Sequence, residues 1–336
     1  KGLLIDNFNL TNNSSSIKVQ SQSQRPNAPI EIELKNFDIT TLTNIVKKEN
    51  LEATGILDGK VLLKNLDKNI LFTADLNIAD FTFNKDTVGN ISVKVDNKVT
   101  SVYDAKVAIT GNGNQVDLNG TYKANSKTFD LILDLEKLNM KSIQGFTMGN
   151  LKNSEGYLSG NFLVKGTADN PDVDGDLSFN AVGFNVTQLN STFKNINDKI
   201  VFNQQGIVFN DFTINDENDN ILLVKGQILS QNFRDFGFDL KIDADNFKAV
   251  NSGPQDNDIY YGKLFLDTSL SVKGDLNKPV VEGTVKINED TDFTIVLPQS
   301  DPSIADREGI VEFIDQDNPP MFDKLTVSDT LSQTKV

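Results

Sequence analysis

"VKGTADNPDVDG", residues 164–175, looks at first like a turn dressed with acids. The chain writes a close variant, "VKGDLNKPVVEG", at residues 272–283, which is 272 − 164 = 108 residues later. Both contain V-K-G, four residues, Pro, three residues and Gly. Gly and Pro punctuate turns, and a Pro that opens a strand leaves the strand interior its N–H donors. The frame is therefore read as a turn between two strands, and its recurrence as the mark of a repeat.

Working outward, the segments before the turns also align. "IEIELKNFDITTL" (30–42) matches "LILDLEKLNMKSI" (131–143) without gaps at an offset of 131 − 30 = 101. That segment matches "FDLKIDADNFKAV" (238–250) at a further 238 − 131 = 107. Ile30/Ile32/Leu34, Leu131/Leu133/Leu135 and Phe238/Leu240/Ile242 alternate with period two, which puts each trio on one face of a strand. The pairs Ile39/Leu42, Met140/Ile143 and Phe247/Val250 keep a spacing of three. That spacing predicts a helical turn near 39–48, 140–148 and 247–252. "GLLIDNFNL" (2–10) matches "GIVFNDFTI" (206–214), and "TGILDGKVLLKN" before "ILFTADLNI" (70–78) is a degenerate copy of the frame.

Units of this kind stack to bury a face that none could bury alone. The expected fold is all-β: an elongated, twisted repeat sheet of about twenty short strands with a few short helices. Its divisions are 1–49 as the end of a preceding repeat, 50–150 and 151–255 as repeat units, and 256–336 as a last unit. Asn- and Gly-rich joints such as "GNGNQ" (111–115) and "NDENDN" (215–220) supply the hairpin turns. No low-complexity linker separates the units, so one continuous sheet is expected. The sequence opens mid-pattern at "KGLLIDNFNL" and is read as a segment of something longer.

Alternation divides the sheet into an oily face and a charged one. The long helices that normally cover an oily face are missing from the pattern, so the sheet must fold over on itself or leave a trough. The residues expected to line that trough are Val61, Leu63, Phe72, Leu76, Ile78, Phe129, Leu131, Leu133, Leu135, Phe162, Val164, Leu177, Phe179, Phe236, Phe238, Leu240 and Ile242. The chain has 22 Phe, five Tyr and no Trp. Phe adds apolar bulk without a hydrogen-bonding handle.

The composition excludes much chemistry. With 32 basic and 47 acidic residues the net charge is −15, which disfavours sequence-independent nucleic-acid binding. His and Cys are both absent, which removes triad and thiol mechanisms and the usual zinc sites. In an EF-hand register Asn170, Asp172, Asp174 and Asp176 fall at positions one, three, five and seven. Position twelve is then Ala181, where a bidentate Glu is required. A solvated turn is the reading; no metal, no cofactor and no catalytic residue are expected.

The frames "GYLSGNFLVKGTADNPDVDGDLSF" (156–179) and "GKLFLDTSLSVKGDLNKPVVEGTVKI" (262–287), followed by "FTIVLPQSDPSIADREGIVEFID" (293–315), resemble the C-terminal half of the TamB family. These translocation and assembly module proteins fall within the AsmA-like group of bridge-like lipid transfer proteins. The resemblance implies a β-taco groove with an apolar interior, an inner-membrane anchor in the full-length protein and a periplasmic location. It further implies movement of phospholipid toward the outer membrane, support of outer-membrane biogenesis, and a BamA-like partner, TamA. A chaperone-like β-scaffold for outer-membrane proteins, a structural β-solenoid with a dry closed core, and a carbohydrate-active solenoid are the alternatives.

Overall fold

A computed structural model describes residues 2–41, 52–67, 70–230 and 232–296. From the start of the chain come β1 (Phe8–Asn12), β2 (Ser15–Ser21), β3 (Ile30–Asp38), β4 (Ala53–Lys64) and β5 (Leu71–Phe83). Then follow β6 (Asp86–Val99), β7 (Val102–Gly111), β8 (Asn114–Lys123) and β9 (Thr128–Asn139). A short helix, α1 (Met140–Gln144), and a 3-10 turn, Gly145–Thr147, lead into β10 (Leu151–Thr167) and β11 (Pro171–Val186). The remainder is β12 (Ser191–Ile196), β13 (Lys199–Asn203), β14 (Gly206–Asp216), β15 (Ile221–Leu229), β16 (Gly237–Ser252), β17 (Tyr260–Asp275), β18 (Pro279–Ile287) and β19 (Asp292–Ile295).

These strands form one 19-stranded sheet among the described residues. From β1 to β11 each strand pairs antiparallel with the next in the chain. β12 and β13 then share the edge of β11 and both pair with β14. The meander continues through β17, whose far edge is shared by β18 and β19. Alternation dictates this arrangement, because every short connection leaves two period-two segments side by side and antiparallel. Many strands exceed the expected short length; β10 has 17 residues and β16 has 16.

The recurring frame is a hairpin. Gly166 pairs with Pro171 at the mouth of the β10–β11 turn, and Thr167 and Asn170 exchange N–H···O bonds of 3.2 Å across it. Gly274 pairs with Pro279 in the same way between β17 and β18. Each Pro opens a strand, where its lack of an N–H does least harm. Asp172, Asp174 and Asp176 therefore alternate along extended β11 rather than curling into a loop.

At the end of the sheet opposite these hairpins the ladders are interrupted. Register shifts fall between Leu34 and Phe37, Ile78 and Phe81, Phe209 and Phe212, and Ala244 and Phe247. At each, Asn36, Asp80, Asp211 or Asn246 takes a positive φ, between 47° and 54°. Asn and Asp tolerate the left-handed region best among residues with a side chain. The freed N–H groups are caught by the neighbouring strand: Asn36 N by Asp58 at 2.9 Å, Asp80 N by Asn90 at 3.1 Å, and Asn246 N by Asp267 at 2.8 Å.

These bulges correct one expectation. Residues 247–252 are strand, not a helical turn. Two register shifts, one on each side of Phe247 and Lys248, insert extra residues, so Phe247 and Val250 reach one face at a spacing of three. A double bulge imitates the helical period. The turn expected near 140–148 is present as α1 and the 3-10 turn. Asn139 caps it, accepting from Lys141 N at 3.0 Å. The turn expected at 39–48 lies largely outside the described residues.

The most deeply buried apolar cluster contains Met140 of α1 with Val182, Ile196, Ile200 and Phe212. A second contains Val116, Leu135 and Phe162. Outside these clusters Ile30, Val88, Phe247, Val250 and Phe265 are also buried, while many other apolar side chains are half-buried or exposed.

Candidate functional site

Directly paired residues on adjacent strands project from the same face, so the register can be followed across the whole sheet. One row runs Leu10, Ile17, Leu34, Gly59, Leu76, Val93, Val107, Leu118 and Leu133. It continues through Phe162, Gly175, Phe202, Ile207, Ile228, Phe238 and Gly274. No polar side chain interrupts it. A parallel row runs from Phe37 through Leu57, Ile78, Ile91, Ile109, Val116, Leu135, Gly160 and Leu177. It goes on through Ile200, Phe209, Gly226, Leu240 and Val272 to Val281. Both rows run at right angles to the strands, along the direction in which the sheet grows.

The register places Leu76, Leu133, Phe162 and Phe238 in the first row and Ile78, Leu135, Leu177 and Leu240 in the second. Val61 pairs with Ala74, Leu63 with Phe72, Leu131 with Val164, Phe179 with Leu158, Ile242 with Val224 and Phe129 with Tyr122, all on the same face. Phe236 is the exception. It precedes β16, in the connection from β15, and has no ladder partner. Alternation carried the pattern one step past the strand's start. The rows also take in Ile200, Phe202, Ile207 and Phe209, whose signal in two short strands was the same alternation.

This face is open at both ends of the described sheet. Phe8 and Leu10 on β1 are 53% and 58% exposed, and Val281, Val285 and Ile287 on β18 are 57%, 55% and 64% exposed. Only α1 packs onto it as helix among the described residues.

The opposite face is ionic. Lys60 lies 3.2 Å from Glu33 and 3.6 Å from Glu31, and Lys94 lies 3.4 Å from Asp75. The hydrogen bond to Glu33 and the field of both glutamates push the Lys60 ammonium above its usual range. Asp267 is held well below the ordinary carboxylate range by hydrogen bonds from Asn288, the Asn246 N–H and Lys286. A concavity of about 850 Å³ lies on this face over β4–β8. Its lining includes Glu31, Lys60, Asp75, Lys94, Asp104 and Lys106.

Among the described residues no group of His, Cys, Asp or Glu could hold a metal ion, and no helix is long and apolar enough to cross a membrane. Searches of the curated proteins and of the solved structures found no match. The family model of the TamB C-terminal domain matches residues 210–335, a span that begins in β14 and takes in β15–β19. TamB proteins are envelope-associated components of a translocation and assembly module whose work is transport and assembly, with TamA as the associated protein. Residues 210–335 are thus similar to the C-terminal domain of TamB proteins.

Proposed function

We propose that this segment is a periplasmic conduit whose apolar face carries phospholipid acyl chains between the inner and outer membranes. The observation behind this reading is the pair of unbroken apolar rows from β1 or β3 to the far strands. A chain lying along them meets Leu, Val, Ile or Phe in at least one row on nearly every strand, with Gly59, Gly160, Gly175 and Gly226 between them and strands about 4.8 Å apart. Each methylene removed from water contributes about 0.8 kcal/mol, so an acyl chain is held by length and not by a pocket. Because successive strands offer nearly equal contacts, sliding costs little at any step. The full-length protein is proposed to be anchored in the inner membrane and to meet TamA at the outer membrane.

The chaperone-scaffold reading finds support in the dry cluster of Val182, Ile196 and Phe212, exposed by 0%, 1% and 5%, where the face is already filled. The two readings part on bound lipid. Organic extraction and mass spectrometry of the purified full chain should return phospholipid, and Phe238→Asp should reduce it severalfold while Phe238→Leu should not. A correctly folded chain that carries no lipid would leave the scaffold.

A further inference from the structure

Over β11–β16 the apolar face is bridged from both margins. At the bulged margin the turn from β11 to β12 meets β16, although β14 and β15 lie between. Asn251 N donates to the Leu189 carbonyl and Ser191 Oγ to the Ala249 carbonyl, both at 3.0 Å. The rings of Phe193 and Phe247 stack across the same gap, with centroids 5.6 Å apart. Ser191 and Phe247 are buried, so this seam is dry.

At the hairpin margin the connection from β15 to β16 does the bridging. It passes the β13–β14 turn, where Ser230 N bonds the Gln205 carbonyl at 2.9 Å, and reaches the hairpin of β10 and β11. There Arg234 donates to the Asp169 carboxylate at 2.8 Å and to the Ala168 carbonyl at 3.1 Å. Phe233 lays its ring on Phe202 of the first apolar row. The bend is tied by its own side chains. Ser230 Oγ accepts from Phe233 N at 2.9 Å, and Asn232 Oδ1 accepts from Arg234 N and Asp235 N, each at 2.9 Å. Phe233 is thereby held at φ 52°, a conformation that a bulky side chain tolerates poorly. A space of about 180 Å³ remains between this connection and the hairpin, bordered by Pro171, Val173, Asn203 and Phe233.

The two closures differ in strength. The bulged seam is made of buried groups, whereas the Arg234 and Asp169 side chains are 60% and 79% exposed. An exposed ion pair is screened by salt and contributes little. Between the closures lie Phe202 and Ile207, over which the first apolar row must pass. An acyl chain on that row thus meets a covered section with one weak side. We infer that residues 232–235 form a lateral gate: closed, Phe233 and Arg234 cover the row over β13 and β14; released at Arg234, they admit an acyl chain to Phe202 and Ile207. The gate rests on the conduit reading and adds to it the place and the control of entry.

The chain has no Cys, so Asp169→Cys with Arg234→Cys gives two unique thiols that a reducible bifunctional methanethiosulfonate joins across the gate. A photo-crosslinking amino acid at Ile207 reads the covered section, and one at Leu118 on β8 reads the rows outside it. The purified full chain is irradiated with phosphatidylcholine vesicles, and lipid adducts are measured by mass spectrometry. Joining the thiols should lower the Ile207 adducts severalfold, leave those at Leu118 unchanged, and be undone by reductant. Without the cysteines, Arg234→Gln should raise the Ile207 adducts by about twofold to fivefold, the range an exposed ion pair supplies. Lys225→Gln, which removes the ion pair with Asp211, should change neither. Ile207 adducts absent throughout, or indifferent to both the tether and Arg234→Gln, would overturn the gate while Leu118 adducts keep the conduit. Adducts at neither position would overturn both.

Discussion

The rings of Phe162 and Phe202 meet edge to face, with centroids 5.3 Å apart, although a whole strand lies between theirs. Gly175 of β11 permits the contact, for it pairs with Phe162 on one side and Phe202 on the other and offers nothing to hold the rings apart. A Cβ at Gly175 would stand 2.2 Å from the Asn161 carbonyl oxygen and 2.9 Å from Phe162. Gly175→Ala should therefore cost about 2 kcal/mol or more. Urea unfolding measures it, and a loss within the half-kilocalorie scatter of surface changes would contradict the packing.

Phe202 also receives the ring of Phe233, nearly parallel at 23° with centroids 6.4 Å apart. Phe202→Ala removes the partner of two rings and should destabilise by about 3 kcal/mol. Phe233→Ala removes one partner at the margin and should cost about 1 kcal/mol. Equal losses would mean that the row is not the supporting element.

Asn246 is held at φ 47° and places Phe247 on the apolar face. Asn246→Gly should be neutral to within about 1 kcal/mol, whereas Asn246→Val should cost about 1–3 kcal/mol, because a β-branched residue is strained there. Deleting Asn246 should be far worse than either. It shifts the parity of the strand beyond it and turns Phe247 and Val250 outward. Thermal melts of the three variants give the ranking.

The Asp267 carboxylate accepts from Asn246 N at 2.8 Å, Asn288 Nδ2 at 2.7 Å and Lys286 Nζ at 3.0 Å. Its folded-state pKa lies below the unfolded one, so its contribution is complete above the unfolded value, near pH 4, and lost as the pH falls toward the folded one. Asp267→Asn should flatten the fall in stability below about pH 4 relative to wild type. Parallel acid titrations of unfolding test this, and identical slopes would contradict it.

Much of this was legible in the sequence. Alternation in segments such as "FDLILDLEK" fixes which side chains share a face, and the V-K-G…P…G frame marks the hairpins that bring those faces together. What alternation does not encode is where it will be broken. Asn36 and Asn246 look like ordinary polar positions until the ladder shows them bulged, and the spacing of Phe247 and Val250 then passes for helix. The ladder also shows that Asn36-Phe37 and Asn246-Phe247 hold corresponding bulges, an offset of 246 − 36 = 210, whereas the ungapped alignment gives 101 + 107 = 208. Parity is unaffected, so the face was read correctly while the register was not. Curvature is likewise a sum of small twists along the sheet, and the concavity over the ionic side of β4–β8 has no local signature.

The central claim is that the two apolar rows carry lipid. A photo-crosslinking amino acid placed singly at Leu133 or Phe238, and for comparison at Lys94 or Asp117 on the ionic face, tests it directly in a Gram-negative envelope. After irradiation, mass spectrometry of the full chain should show phospholipid adducts at Leu133 and Phe238 and none at Lys94 or Asp117. Adducts on both faces alike, or on neither, would contradict it.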